Sequence, residues 1–265
     1  MSETLKIVFM ALIQGFTEFL PVSSSGHLAI SRDLLGLDPD GSLCLVVTLH
    51  AGTLVAILLY YFKELFALLK PSEFKMLFKI IVGTAPAAAV GIILHKTNVA
   101  DNLFNSIYVA GAGLIITGFI LRSASKTRQG MFVMREISLP KALFVGIAQA
   151  FAILPGISRS GTTITAGMKV GLKDEDAAKF SFFLAVPAIG GAAFVEVLSK
   201  FLKNDFGTSY GTGSMLLGFF VSAISGYIAI ALLISLLKKN KLSFFSYYCF
   251  IIGILAISLK LTGIL

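Results

Sequence analysis

Charge is scarce in this chain. Only 14% of its 265 residues are Asp, Glu, Lys or Arg, while 56% are hydrophobic and the mean hydropathy is +0.89. Soluble domains carry about 25% charged residues. A soluble core cannot hide so much apolar surface, so the deficit excludes an ordinary soluble domain and points to a polytopic membrane protein. Cysteine is nearly absent too: Cys44 and Cys249 lie far apart, within or at the ends of apolar runs, and read as core residues rather than a disulfide or a metal pair. Of the 3 histidines, only His27 falls in a polar stretch; His50 reads as a hydrogen-bonded wall residue and His95 as the end of a span. The formal net charge is +8, yet nucleic-acid binding is set aside. The basic residues fall mostly in the connections between apolar runs, as the positive-inside rule expects.

Against this apolar background stand two polar stretches, 14–27 (QGFTEFLPVSSSGH) and 149–165 (QAFAILPGISRSGTTIT). Each is an apolar helical run ending in Leu-Pro, followed by a Ser/Gly-rich turn and a second apolar run. The turn Ser23-Ser24-Ser25-Gly26 aligns with Ser158-Arg159-Ser160-Gly161 after one inserted residue. The N-terminal run loosely mimics a secretory signal, but Gln14 and Glu18 interrupt it and its near copy lies deep in the chain. We therefore expect it to be retained.

The run 5–19 is short for a span, since crossing a bilayer core takes about 20 apolar residues. Pro21 ends it, and a second short piece, 26–35, leads to an expected turn at Asp38-Pro39-Asp40-Gly41. Two half-length helices around a polar turn predict a re-entrant hairpin over 5–36. At membrane depth such backbone is tolerated only in protein or beside a wet cavity, which marks the turn as a candidate site. Spans follow at 43–62, 77–95 and 103–121. The order then repeats, with a hairpin over 142–172, the link Lys173-Asp174-Glu175-Asp176, and spans at 180–198, 214–237 and 244–261. The expected fold is all-α, with six transmembrane helices and two re-entrant hairpins in two repeats, about 1–122 and 141–265. Small residues support the duplication: Gly83, Ala87, Ala88 and Gly91 match Gly218, Ser222, Ala223 and Gly226 at constant offset. Three spans per repeat invert the second copy, so the two turns can meet near the midplane. Most Lys and Arg, among them Lys63, Lys70, Lys75, Lys126, Arg128, Arg135, Lys238 and Lys241, fall on one side, whereas Lys6, Arg32, Lys96, Lys200, Lys203 and Lys260 fall on the other. The more basic side is expected to be cytoplasmic, with both termini and the mouth of the first hairpin outside.

Arg159 is a charge inside an apolar region, which makes a functional partner the default reading. Its guanidinium matches phosphate or carboxylate as a bidentate fork; the plainer alternative is a packing ion pair with Glu18. The backbone N–H groups of Gly161 to Thr163 open the following half-helix as a candidate anion site. Ser158, Ser160, Thr162 and Thr163 add hydroxyls that serve as donors or merely cap the helix. In the first turn Glu18 and His27 are an acid-base pair beside the hydroxyls of Ser23, Ser24 and Ser25. Gln14, one turn before Glu18, orients it, helps ligate a cation, or simply packs by a hydrogen bond.

These residues carry a resemblance. The chain is similar to the undecaprenyl-diphosphate phosphatases, also called bacitracin-resistance proteins, over essentially its whole length. The family's (Glu/Gln)-x-x-x-Glu motif stands as Gln14 to Glu18 and runs into Pro-Val-Ser-Ser-x-Gly-His at Pro21 to His27. Its Pro-Gly-x-Ser-Arg-Ser-Gly motif stands at Pro155 to Gly161, with Thr163 following. Gln14 replaces a common Glu, so only Glu18 is placed as a metal ligand. The resemblance implies a membrane hydrolase that converts undecaprenyl diphosphate to the monophosphate carrier of peptidoglycan synthesis, conferring bacitracin resistance. It further implies an extracytoplasmic site in the bacterial inner membrane and a divalent cation, magnesium or calcium, as cofactor. It is compatible with homodimers, although no stretch of sequence marks an interface. On this reading Glu18, Ser24, His27 and Arg159 are catalytic, and Ser23, Ser25, Gly26, Ser158, Ser160, Gly161 and Thr163 bind substrate. Ser24 attacks while His27, assisted by Glu18, handles protons; His27 as nucleophile and direct activation of water stay open. Inverted repeats with broken helices are also transporter architecture, so a lipid or anion carrier, or a flippase combined with the phosphatase, is the alternative.

Overall fold

The computed structural model describes residues 2–37, 39–95, 97, 103–104, 106–124, 127, 130–203, 210–239 and 241–264. Of the positions used above, Asp38, Lys96, Lys126 and Arg128 lie outside these. The described chain is helical: α1 (Glu3–Phe19), α2 (Ser24–Leu35), α3 (Pro39–Tyr60), α4 (Phe62–Ala67), α5 (Phe74–His95), α6 (Ile107–Ala124), α7 (Leu139–Phe151), α8 (Arg159–Lys169), α9 (Asp174–Lys203), α10 (Thr212–Lys238) and α11 (Phe244–Leu261). By length and apolarity α5, α6, α9, α10 and α11 can each cross a membrane, and α3 carries a shorter apolar stretch, Cys44–Tyr60. Many large apolar side chains on these helices are exposed, including Phe78, Ile93, Phe119, Phe220 and Ile254. In a membrane protein that surface meets lipid, so this is a multi-pass all-α membrane protein.

Three boundaries differ from expectation for local reasons. Pro39, Asp40 and Gly41 do not form a turn but begin α3, since proline suits the first helical position. The acidic link is likewise the first turn of α9, a helix of 30 residues; Asp174, Glu175 and Asp176 favourably meet its positive end. The first hairpin's second arm starts at Ser24, with Ser23 as its N-cap.

The two halves interlock. In the first, α1 packs on α10 of the second; in the second, α7 packs on α5 of the first. The contacts correspond in detail. A Cβ added to Gly218 would lie 2.9 Å from Ile7 and 3.1 Å from Leu49, and one added to Gly83 would lie 2.8 Å from Leu184 and 3.2 Å from the Ala142 carbonyl. Between α6 and α11 the contacts run in opposite order, Gly111 to Ile257, Gly253 to Ile115, Gly118 to Phe250. These two helices are therefore antiparallel, as inverted topology requires.

Polar surface contacts sort to two ends. Lys238–Glu175, Lys179–Glu64 and Arg135–Glu73 lie at the end where α9 begins and α10 stops. At the other end, where α1 and α10 begin, Thr4 meets Ser214, Glu3 accepts from the Gly211 N–H, and Lys6 reaches the Leu35 carbonyl. The cysteines are unpaired thiols, Cys249 being buried in the main apolar cluster.

The turn of the second hairpin is wedged against α6. Gly156, at φ 83°, is so close to Gly113 that a Cβ on Gly113 would lie 2.8 Å from the Gly156 Cα. Gly113→Ala should therefore lower the thermal midpoint in detergent by an amount corresponding to about 1–3 kcal/mol, the usual cost of overpacking. Gly191→Ala, whose added Cβ meets nothing within 4 Å, should leave the midpoint unchanged or raise it.

Candidate active site

The two polar turns are in direct contact. A Cβ on Gly26 would lie 3.1 Å from the Gly156 Cα and one on Gly161 3.2 Å from Pro21, while Ser160 Oγ donates to the Leu20 carbonyl across the junction (3.2 Å). Each turn is built the same way. Ser23 Oγ caps α2 by accepting from the Gly26 N–H (3.3 Å) and pairs with Ser25 Oγ (3.2 Å); Ser158 Oγ caps α8 by accepting from the Gly161 N–H (3.0 Å) and pairs with Ser160 Oγ (3.2 Å). Ser23 also has φ 68°, the only positive value for a non-glycine among the described residues. Such a conformation costs on the order of 1–3 kcal/mol, and it is held immediately before Ser24.

At the centre is Glu18, whose side chain is 7% exposed. Its Oε1 accepts from Arg159 Nη2 at 2.5 Å, an ion pair between the two turns. Its Oε2 accepts from Ser24 Oγ at 2.5 Å and from Gln14 Nε2 at 3.1 Å. Arg159 Nη1 reaches the Ser181 carbonyl on α9 (3.5 Å). Ser24, Ser25, His27 and Arg159 are half-buried around the more deeply buried Glu18. The arrangement offers a hydroxyl beside a carboxylate and a guanidinium within one carboxylate's width of both.

Several expected placements need correction. His27 touches neither Glu18 nor Ser24 by a hydrogen bond; its Nδ1 lies 2.8 Å from the Ser23 carbonyl, one turn back on its own helix, and its Nε2 lies 2.8 Å from Tyr248 Oη on α11. Because a carbonyl only accepts, Nδ1 carries the proton and Nε2 accepts from the tyrosine. The group of the first turn that Glu18 meets is therefore the Ser24 hydroxyl. The N–H groups of Gly161 and Thr162 are not open to an anion, being spent on Ser158 Oγ and the Ser158 carbonyl. Thr163 is fully buried, its hydroxyl donating to the Arg159 carbonyl (2.7 Å) and pairing with Ser181 Oγ (2.6 Å). It braces the arginine's backbone instead of facing the site.

Residues that sequence reasoning passed over also reach the site. His50 on α3 is not a mere wall residue, for its Nε2 lies 3.6 Å from Glu18 Oε2. Tyr248 fixes His27, Ser181 meets both Arg159 and Thr163, and Thr117 on α6 accepts from the Ser158 N–H and donates to the Gly156 carbonyl, both at 2.9 Å. None lies in a polar stretch, so spacing alone gave no signal for them.

The fit of a divalent cation turns on Gln14. Its Oε1 is buried with no hydrogen-bond partner, while its Nε2 donates to the same Glu18 oxygen that Ser24 and His50 approach. One carboxylate with neutral oxygen ligands suits magnesium-type binding, in which substrate phosphates complete the shell. The residues therefore fit a cation that shares its ligands with a phosphorylated substrate.

Interlocked helices around paired polar helix breaks, with a buried acid, a hydroxyl and an arginine converging there, define a polytopic membrane protein equipped for anion chemistry at the helix breaks. The chain matches the family described as Bacitracin resistance protein BacA over residues 7–255. It is 39% identical to an undecaprenyl-diphosphatase of Halothermothrix orenii, over 97% of this chain and 98% of the relative. It is 38% identical to an undecaprenyl-diphosphatase of Carboxydothermus hydrogenoformans, over 98% and 99%, and to undecaprenyl-diphosphatase 4 of Bacillus cereus, over 98% of each. The chain belongs to the BacA family.

If Glu18 serves Ser24 directly, Ser24→Ala and Glu18→Gln should each lower phosphate release by about 10²-fold or more, the scale of acid-base and nucleophilic groups. Ser25→Ala, whose hydroxyl is paired with Ser23, should lower it much less. Detergent-purified variants matched for thermal stability provide the comparison.

Proposed function

We propose that this protein hydrolyses undecaprenyl diphosphate to undecaprenyl phosphate and inorganic phosphate, recycling the lipid carrier of peptidoglycan synthesis and so conferring bacitracin resistance. The observation that carries the reading is the Arg159–Glu18–Ser24 chain, 2.5 Å at each link, in a member of a family whose relatives bear that activity in their names. Ser24 Oγ bonds to the terminal phosphorus as the bridging P–O bond breaks, undecaprenyl phosphate leaves, and the hydroxyl proton passes to the Glu18 carboxylate. Water then releases phosphate from the phosphoserine. Arg159 exchanges Glu18 Oε1 for the terminal phosphate and stabilises its charge in the transition state. His27 Nε2 accepts from Tyr248 Oη in this structure, and once the tyrosine gives way its lone pair is a second proton acceptor that serves the hydrolytic water. Glu18 and Gln14 would hold the divalent cation, which supplies charge neutralisation to the diphosphate.

The charge distribution orients the protein. The end holding Lys238, Lys179 and Arg135 is cytoplasmic, which places the mouth of the first hairpin and both termini outside. A reporter inserted after Lys70 should register as cytoplasmic and one fused after Ile264 as extracytoplasmic; the same compartment for both would contradict the inverted arrangement.

Phosphate release from a polyprenyl diphosphate in detergent, where transport has no meaning, separates this reading from a carrier. Arg159 sharpens the test. Arg159→Lys keeps the charge but loses the planar fork, so release should fall at least about tenfold while the thermal midpoint holds. Arg159→Ala should in addition destabilise the fold by about 3–5 kcal/mol, since it strands a buried charge, and Glu18→Gln should partly restore it. Parent-like hydrolysis in the Lys variant would reduce the pair to a packing device.

A further inference from the structure

We propose that His50 is a ligand of the divalent cation, so that this protein binds it in a mixed nitrogen and oxygen site formed by His50 Nε2, Glu18 Oε2 and Gln14 Oε1. Among the described residues no three His, Cys, Asp or Glu side chains cluster; this site has two of them and a carboxamide. The geometry separates the two oxygens of Glu18. Oε1 is committed to Arg159, while Oε2 faces Ser24, Gln14 and His50. His50 Nδ1 lies 2.8 Å from the Val46 carbonyl, which only accepts, so Nδ1 carries a proton, and in the neutral ring Nε2 is the nitrogen left to bind a metal. That nitrogen lies 3.6 Å from Glu18 Oε2. With the ring neutral, two acceptor atoms face each other there, an arrangement that a metal cation resolves as a proton on Nε2 would.

The second observation is independent: Gln14 is fully buried and its Oε1 has no hydrogen-bond partner. The Gln14 Nε2 donation to Oε2 is the contact a cation there would replace, and rotation of the amide turns Oε1 toward it. His27 is no competitor, because both its nitrogens are engaged. The second hairpin contributes no acid, for Gln149 to Leu154 contain none. An imidazole among oxygen ligands shifts preference away from calcium towards zinc, iron and nickel, whereas manganese keeps an affinity for the oxygen ligands. The inference rests on the diphosphatase reading, because substrate phosphate oxygens complete the shell.

Manganese is the probe, added to detergent-purified protein with methylenediphosphonate as a non-hydrolysable diphosphate. Pulsed electron spin-echo experiments should show nitrogen modulation from one imidazole in the parent and in His27→Ala, and none in His50→Gln, a variant of similar volume whose thermal midpoint verifies folding. His50→Ala should weaken manganese binding by at least the roughly 10-fold that even a supporting residue costs a metal site. Calcium should displace manganese more readily from His50→Gln than from the parent. Absence of imidazole modulation in the parent, whether or not manganese binds, would overturn the assignment, as would its persistence in His50→Gln. Phosphate release on the same preparations separates the two ideas. Release without modulation overturns His50 alone; modulation without release overturns the diphosphatase reading.

Discussion

The buried ion pair between Glu18 and Arg159 is the constraint on which the rest depends. Each residue stands at a helix break, in a different half of the chain, and neither charge is supportable alone in an apolar interior. Meeting at 2.5 Å requires both hairpins to bring their turns to one place. That requirement accounts for much of the surrounding detail: glycines at 26, 113 and 156 where backbones touch, serine caps that spend the helices' first N–H groups, and Thr117 tying the second turn to α6. As a source of stability the pair has no advantage over apolar packing. What it does in the structure is hold the Glu18 carboxylate against Ser24 with the Arg159 guanidinium beside them.

The interlocking of the two halves explains how one chain makes such a meeting point. Exchanged packing, α1 on α10 and α7 on α5, leaves neither half able to bury its hairpin without the other. The halves differ where chemistry is concerned. The first turn supplies acid and hydroxyl; the second supplies the cation, and the residues between Gln149 and Leu154 include no counterpart of Glu18. One surface therefore presents a base and an anion clamp side by side, which two identical turns could not.

How much of this was legible in the sequence follows the range of each signal. Apolar run length located the long helices, and the Leu-Pro and Ser/Gly punctuation located both turns, because these effects are local. Boundaries failed where a local cue has two meanings: Pro39 starts a helix as readily as it ends one, and three acids in succession suit a helix N-terminus as well as a loop. Glu18, Arg159 and the serines of both turns stood out because they are polar where the chain is otherwise apolar, and only the family resemblance singled out Ser24. His50, Tyr248, Ser181 and Thr117 did not stand out, because each is a lone polar residue on a long apolar helix whose facing is set by tertiary packing. The expected contact of His27 with Glu18 failed for the same reason. Proximity in sequence put the two together, but the imidazole bonds back to its own helix and across to α11.

The central claim is that Glu18 activates Ser24 for attack on a phosphorus held by Arg159. The most direct measurement is rapid acid quench of the purified protein turning over a polyprenyl diphosphate labelled in its terminal phosphate, followed by peptide mapping of protein-bound label. The account predicts phosphate on Ser24, abolished in Glu18→Gln. Phosphate on His27, or turnover with no labelled protein at any quench time or pH, would contradict it.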